Sequence, residues 1–208
     1  MTTRPEPVGH GRPEGDPGPA PSYSQESPLT EFLEARLFEQ RVIWVRGRLD
    51  DLVAMMAATQ LMTLDGSGDD PIQLHLNSGE GTLTAALALM DTIAALGVPV
   101  EAVCAGRAEG PALGVLAVAD RRQATIHSRL RFHDEEIVAV GTADAVVQEL
   151  AQHQRQLERF IEQVARATHQ PAERVEIDLA NRRYFDVEEA IQYQLLDGIW
   201  SGTTQTTD

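Results

Sequence analysis

Lysine is missing altogether: all 17 basic residues of the 208-residue chain are arginine. That excludes Schiff-base chemistry and a serine–lysine dyad, since both need an amine that can lose its proton. Cys104 is the only cysteine, so no intrachain disulfide and no cysteine-rich metal site can form. Positive charge is scarce too. With 32 acidic residues the formal net charge is −15, which argues against binding a phosphate backbone and therefore against a nucleic-acid partner. Such an excess serves solubility first. No apolar run reaches the roughly 20 residues that cross a bilayer. The chain reads as soluble and cytoplasmic, with no membrane partner.

What is present divides into three parts. Residues 1–28 hold seven of the eleven prolines and almost nothing large and apolar. Such a segment buries too little surface to offset the entropy of ordering it, and reads as a disordered tail. It lacks the apolar run of a signal peptide. Residues 29–200 suit one domain with a sizeable core, and 201–208 form a polar end.

Within the domain, strand and helix signals alternate. Leu29 to Glu39 reads as a short helix and Val42 to Val45 as a strand closed by Gly47. Asp50-Asp51 opens a helix where an N-cap and the helix dipole favour acids. A Gly/Asp loop at 65–71 leads to a strand at Ile72–Leu76, and a helix spans Leu83–Leu96. A strand at Val98–Cys104 and a helix at Pro111–Ala119 follow. Two further strand signals lie at Ala124–Ile126 and Leu130–Phe132. The alternation predicts an α/β domain with a largely parallel sheet.

One helix is out of proportion. From about 144 to 168, Val146, Val147, Leu150, Leu157, Phe160, Ile161 and Val164 form a stripe at three- and four-residue steps. At 1.5 Å per residue such a helix spans about 37 Å and must project from so small a domain. The stripe calls for a partner. A last helix is expected near Val187–Tyr193.

Four segments in order carry a resemblance. Leu76-Asn77-Ser78-Gly79-Glu80-Gly81 is similar to an Ile-Asn-Ser-Pro-Gly-Gly loop. Gly106-Arg107-Ala108-Glu109-Gly110-Pro111 matches a Gly-Gln-Ala-Ala-Ser-Met nucleophile turn, and Ser128-Arg129-Leu130-Arg131-Phe132-His133 a Ser-Arg-Val-Met-Ile-His segment. The 188–197 stretch resembles Pro-Glu-Ala-Val-Glu-Tyr-Gly-Leu-Val-Asp. With spacing kept almost without gaps from about residue 37 to 199, the chain resembles the Clp protease proteolytic subunit (ClpP). The resemblance implies the crotonase-like fold, a superhelix of stacked ββα units. It also implies self-assembly into heptameric rings, with the helix at 144–168 as the handle between two rings.

Carried over position by position, the resemblance places Gly110 at the nucleophile, His133 at the base and Arg182 at the acid of the triad. Acyl transfer needs a nucleophile, a base and a group that orients the base. Glycine has no side chain, and arginine reverses the acid's charge. The two oxyanion donors fall at Pro111, which has no N–H, and at Glu80, which keeps its N–H but brings a bulky acid. On these grounds the chain is expected not to be an enzyme but a pseudoprotease. Glu80, Glu109, Asp134, Glu135 and Glu136 gather near this site with Arg107, Arg131 and Arg182, and Arg182 is expected to pair with Glu109 or Glu80. Cys104 reads as a core residue. No metal or cofactor is implied.

The family's apolar pocket for its ATPase partner maps onto Gln73, His75, Ala95, Ala105, Gln123 and Thr125. These replacements remove most of the apolar surface an anchor needs, at about 25 cal/mol per Å², so direct docking of a Clp ATPase is expected to be weak or absent. After the histidine, Asp134 to Gly141 lacks the family's proline and glycine pair. The reading is a non-catalytic ring subunit, a structural or regulatory partner of an active ClpP subunit. The alternatives are a crotonase-fold enzyme, or a free-standing oligomer binding a ligand in the altered cleft.

Overall fold

The computed structural model describes residues 28–135 and 139–202. All but the last residue of the proline-rich tail lies outside the described residues, as do Glu136–Val138 of the segment after His133 and most of the polar C-terminal end. In chain order the elements are α1 (Pro28–Glu39), β1 (Val42–Leu49), α2 (Asp51–Asp65), β2 (Ile72–Gly81), α3 (Leu83–Ala95), β3 (Val100–Glu109) and α4 (Pro111–Ala117). They continue as β4 (Arg121–Ala124), β5 (Arg129–Arg131), α5 (Ala143–Thr168), α6 (Ala172–Ala180), β6 (Tyr184–Phe185), α7 (Val187–Gln192) and β7 (Gly198–Ile199).

The sheet runs β1-β2-β3-β4-β7 with every pairing parallel. The α/β class with a parallel-dominated sheet is therefore as the sequence predicts, and agrees with a crotonase-like fold. Central strands are buried on both faces and read as apolar runs, such as Ile72, Leu74 and Leu76 in β2 and Val100, Ala102, Val103 and Cys104 in β3. The helices start where short polar side chains satisfy free backbone N–H groups: Asp50 accepts from Val53 and Thr82 from Ala85.

Two irregularities at the C-terminal ends of the central strands shape the site. Pairing of β1 with β2 shifts at Gly47, and that of β2 with β3 shifts between Leu76 and Ser78. Across the second shift β3 bends at Gly106, whose φ of +123° disfavours a side chain and whose Cβ would come within 3.1 Å of Asn77. The bend lets one strand serve two partners: Glu101–Cys104 pair with β4, and Arg107–Glu109 with β5. Ser128 fastens it, donating from Oγ to the Cys104 carbonyl at 2.7 Å and accepting from the Gly106 N–H at 3.2 Å. The segment Asn77–Gly81, expected as a loop, is instead the end of β2.

The long helix exists as expected and begins one residue earlier, at Ala143. Its C-terminal half packs through Phe160, Ile161 and Val164, with Phe160 set so close to α4 that a Cβ on Gly114 would lie 2.3 Å from it. Its first turns stand away from the body, with Val147 and Leu150 65% and 48% exposed. Helix α6 and strands β6 and β7 are additions to the sequence reading.

Candidate functional site

At the end of β3 the chain turns sharply into α4. Gly110 makes that turn at φ +57°, ψ −128°, and Pro111 is the first helical residue, where its missing N–H costs no helical bond. A strained strand-to-helix turn is the context in which a nucleophile is presented in other hydrolases; here residue 110 presents only backbone. Its N–H donates to the Arg131 carbonyl at 2.9 Å, tying the turn to β5.

His133 follows two residues beyond β5. Phe132 holds it in place, fully buried edge-to-face against Phe185 at 5.6 Å and near Tyr193 at 6.0 Å; burying a ring of this size stabilises by about 1.5–3 kcal/mol. The imidazole spans two acceptors, with Nδ1 2.9 Å from the Asp134 carbonyl and Nε2 3.2 Å from the Gly79 carbonyl. A neutral ring donates to only one of them. A Cβ built on Gly110 would fall 2.6 Å from Cε1 of this ring.

Around His133 opens a cavity of about 320 Å³ whose walls carry Arg48, Arg107, Arg131 and Arg182 together with Glu80, Glu109, Asp134 and Glu135. The structure thus brings Gly110, His133, Glu80 and Arg182 to one place. It does not pair Arg182 as expected. Glu109, only 5% exposed, is held by Arg129, with Nε and Nη2 each 2.8 Å from Oε1. Glu80 reaches Arg48 at 3.4 Å in the open. The reason is topological: β5 lies beside β3, so Arg129 reaches the buried carboxylate from the adjoining strand. Arg182 sits past α6 at φ +50°, exposed, with no ion pair among the described residues.

Sequence reasoning missed Arg48, Arg129 and His153. His153, two turns before the buried part of α5, faces Asp134 at 3.1 Å and Glu135 at 3.3 Å. Cys104 is buried in β3 as expected, and burial pushes its thiol up to about 11. Among the described residues no cluster of His, Cys, Asp and Glu could hold a metal ion, and no helix is long and apolar enough to cross a membrane.

The positions mapped to ATPase docking spread over β2, the end of α3, β3 and β4. Gln73 and Gln123 line a separate cavity of about 240 Å³ with Glu101, Arg121 and Trp200. Ala95 ends α3, Ala105 adjoins the Gly106 bend, and Thr125 serves the turn, bonding Ser128 Oγ at 2.8 Å. His75 is 5% exposed between two tryptophans, stacked on Trp44 at 4.9 Å and edge-on to Trp200 at 5.3 Å. This aromatic group was not foreseen. Period-2 alternation in β1 already sets Trp44 on the face opposite Ile43 and Val45, whereas nothing local brings Trp200 to it.

A family model described as Clp protease matches residues 26–203. The chain belongs to the Clp protease family. It is 34% identical over 166 residues to the ATP-dependent Clp protease proteolytic subunit-related protein 2, chloroplastic, of Arabidopsis thaliana, covering 78% of this chain. It spans 60% of the length of that protein. It is also 32% identical over 166 residues to the ATP-dependent Clp protease proteolytic subunit 4 of Rhodococcus jostii, covering 78% of this chain and 86% of the relative. These findings overturn the expectation that the chain is not an enzyme. Its family is a protease family, and its Rhodococcus relative is named a proteolytic subunit.

Proposed function

We propose that this Clp family chain is a ring-forming subunit of a cytoplasmic Clp-type proteolytic assembly, built together with a second Clp proteolytic subunit that carries a serine where this chain has Gly110. The observation that carries the reading is α5: seventeen residues precede its first buried position, Phe160, and they expose Val147 and Leu150 to solvent. A projecting apolar stripe of that kind is stable only against another chain. A second apolar surface supports it, since Leu29, Phe32 and Leu33 of α1 and Leu52, Met55 and Met56 of α2 are all exposed. Contact with an ATPase passes mainly through the second subunit, because Gln73, Ala95, Ala105, Gln123 and Thr125 offer little apolar surface.

Native mass spectrometry of the chain alone and co-expressed with such a subunit tests the reading. Mixed rings are the expected product. A chain that stays monomeric in both preparations overturns it.

A further inference from the structure

The charges around His133 balance in number, four guanidinium groups to four carboxylates, but they are not all paired with one another. Each carboxylate in the wall has a basic side chain beside it: Arg129 holds Glu109, Arg48 reaches Glu80, and His153 faces Asp134 and Glu135. Three guanidinium groups in the same wall have no such partner. Among the described residues the side chains of Arg107, Arg131 and Arg182 make no hydrogen bond or ion pair, and Nε of Arg131 is buried without a partner. Arg131 lies over the Tyr184 ring, with Cζ 4.5 Å from its centroid, a cation–π contact that restrains the side chain. Arg107 lies over Gly79, near enough that a Cβ there would meet its Cζ at 2.7 Å. Three guanidinium groups without partners in one cavity wall leave their N–H donors free for an incoming anion.

We infer that this cavity binds the carboxylate of a peptide, held by Arg107, Arg131 and Arg182 beside His133. A planar carboxylate matches the fork of a guanidinium in two parallel hydrogen bonds, which a lone ammonium cannot reproduce. The cavity, at about 320 Å³, takes one or two residues of a chain end rather than a folded partner. The carboxylate comes either from the peptide's C-terminus or from an acidic side chain. The inference concerns one chain's own cavity and does not rest on the ring reading.

Fluorescence anisotropy with a labelled tetrapeptide tests it in three forms: with a free C-terminus, with that end amidated, and amidated with glutamate as the last residue. The free-carboxylate form, the glutamate form or both bind about tenfold or more tighter than the uncharged amide, and which of them does so identifies the source. Arg107→Gln and Arg182→Gln, at exposed positions without partners, keep the wild-type Tm and each abolish that preference. Arg182→Lys, which keeps the charge but not the fork, restores only part of it. Equal binding of all three peptides, no binding of any, or an unchanged preference in both glutamine variants would overturn the inference. So would inorganic phosphate displacing the peptide at lower concentration than acetate does. Native mass measured on the same sample separates the two proposals: a monomer with the preference removes the ring, and a ring without the preference removes the carboxylate site.

Discussion

The imidazole of His133 occupies the space that a side chain on residue 110 would need, with Cε1 2.6 Å and Nε2 2.8 Å from the position of a Cβ there. Gly110 is also left-handed at φ +57°, where a side chain is strained whatever the space. Gly110→Ala is therefore expected to lose about 1–3 kcal/mol of stability and to push His133 off the Gly79 carbonyl. Part of that loss is relieved in the His133→Ala background, because the two residues compete for one volume. Chemical denaturation of the four proteins in the cycle measures the coupling; strict additivity would contradict it.

A second close approach lies behind the cleft. Gly114 of α4 meets Phe160 of α5, where a Cβ would sit 2.3 Å from the ring and 3.0 Å from Sδ of Met90. Gly114→Ala overpacks this contact and is expected to cost about 1–3 kcal/mol, seen as a lower denaturation midpoint. Adding Phe160→Leu to that variant should recover part of the loss.

Asp197 and Arg122 fasten the last segment to β4. Asp197 accepts from Nη2 of Arg122 at 2.6 Å and from its Nε at 3.2 Å, while Nη1 donates to the carbonyls of Ala167 and Gln194. Burial alone would raise this carboxyl, but the Arg122 hydrogen bonds and charge outweigh it and hold it below the usual range. A lowered folded value means the contribution is present above the ordinary carboxylate range near pH 3.9 and fades as pH falls through the folded value. Asp197→Asn is expected to lower the Tm at pH 7, with the gap to wild type closing as pH falls through the folded value, below the ordinary carboxylate range.

Burial between Trp44 and Trp200 lowers His75 from its ordinary value. Folding then disfavours the protonated ring, so stability is full above about pH 6.5 and falls as pH drops towards the folded value. His75→Phe is expected to flatten the Tm profile between pH 7 and 5, with tryptophan fluorescence reporting the same transition. An unchanged slope would show that His75 does not titrate there.

Much of the fold was legible because it rests on period. The apolar stripe of α5 gave its length to within one residue, and β-branched runs located the central strands. What escaped was short or non-local. In α6, Val175 and Leu179 are the apolar residues buried, too few to show a period, and β6 and β7 have two residues each. Asn77–Gly81 carries glycines and polar residues that read as a loop, yet pairing with both neighbouring strands keeps it extended. At the cleft, the resemblance placed Gly110 and His133 in one site but could not choose among the arginines. Glu109 is satisfied by Arg129 because β5 lies next to β3, a fact of topology that no local pattern encodes.

The central claim, that this chain works as part of a ring, rests on the exposed first turns of α5. Sedimentation velocity at micromolar concentration compares the wild type with Val147→Asp/Leu150→Asp. The account predicts that the wild type, alone or with its second subunit, sediments as a closed multiple of the 22.7 kDa chain. It predicts that the double variant falls to smaller species while keeping its circular dichroism spectrum and Tm. Identical sedimentation of the two proteins, with wild type and variant both monomeric or both in the same large particle, would contradict it.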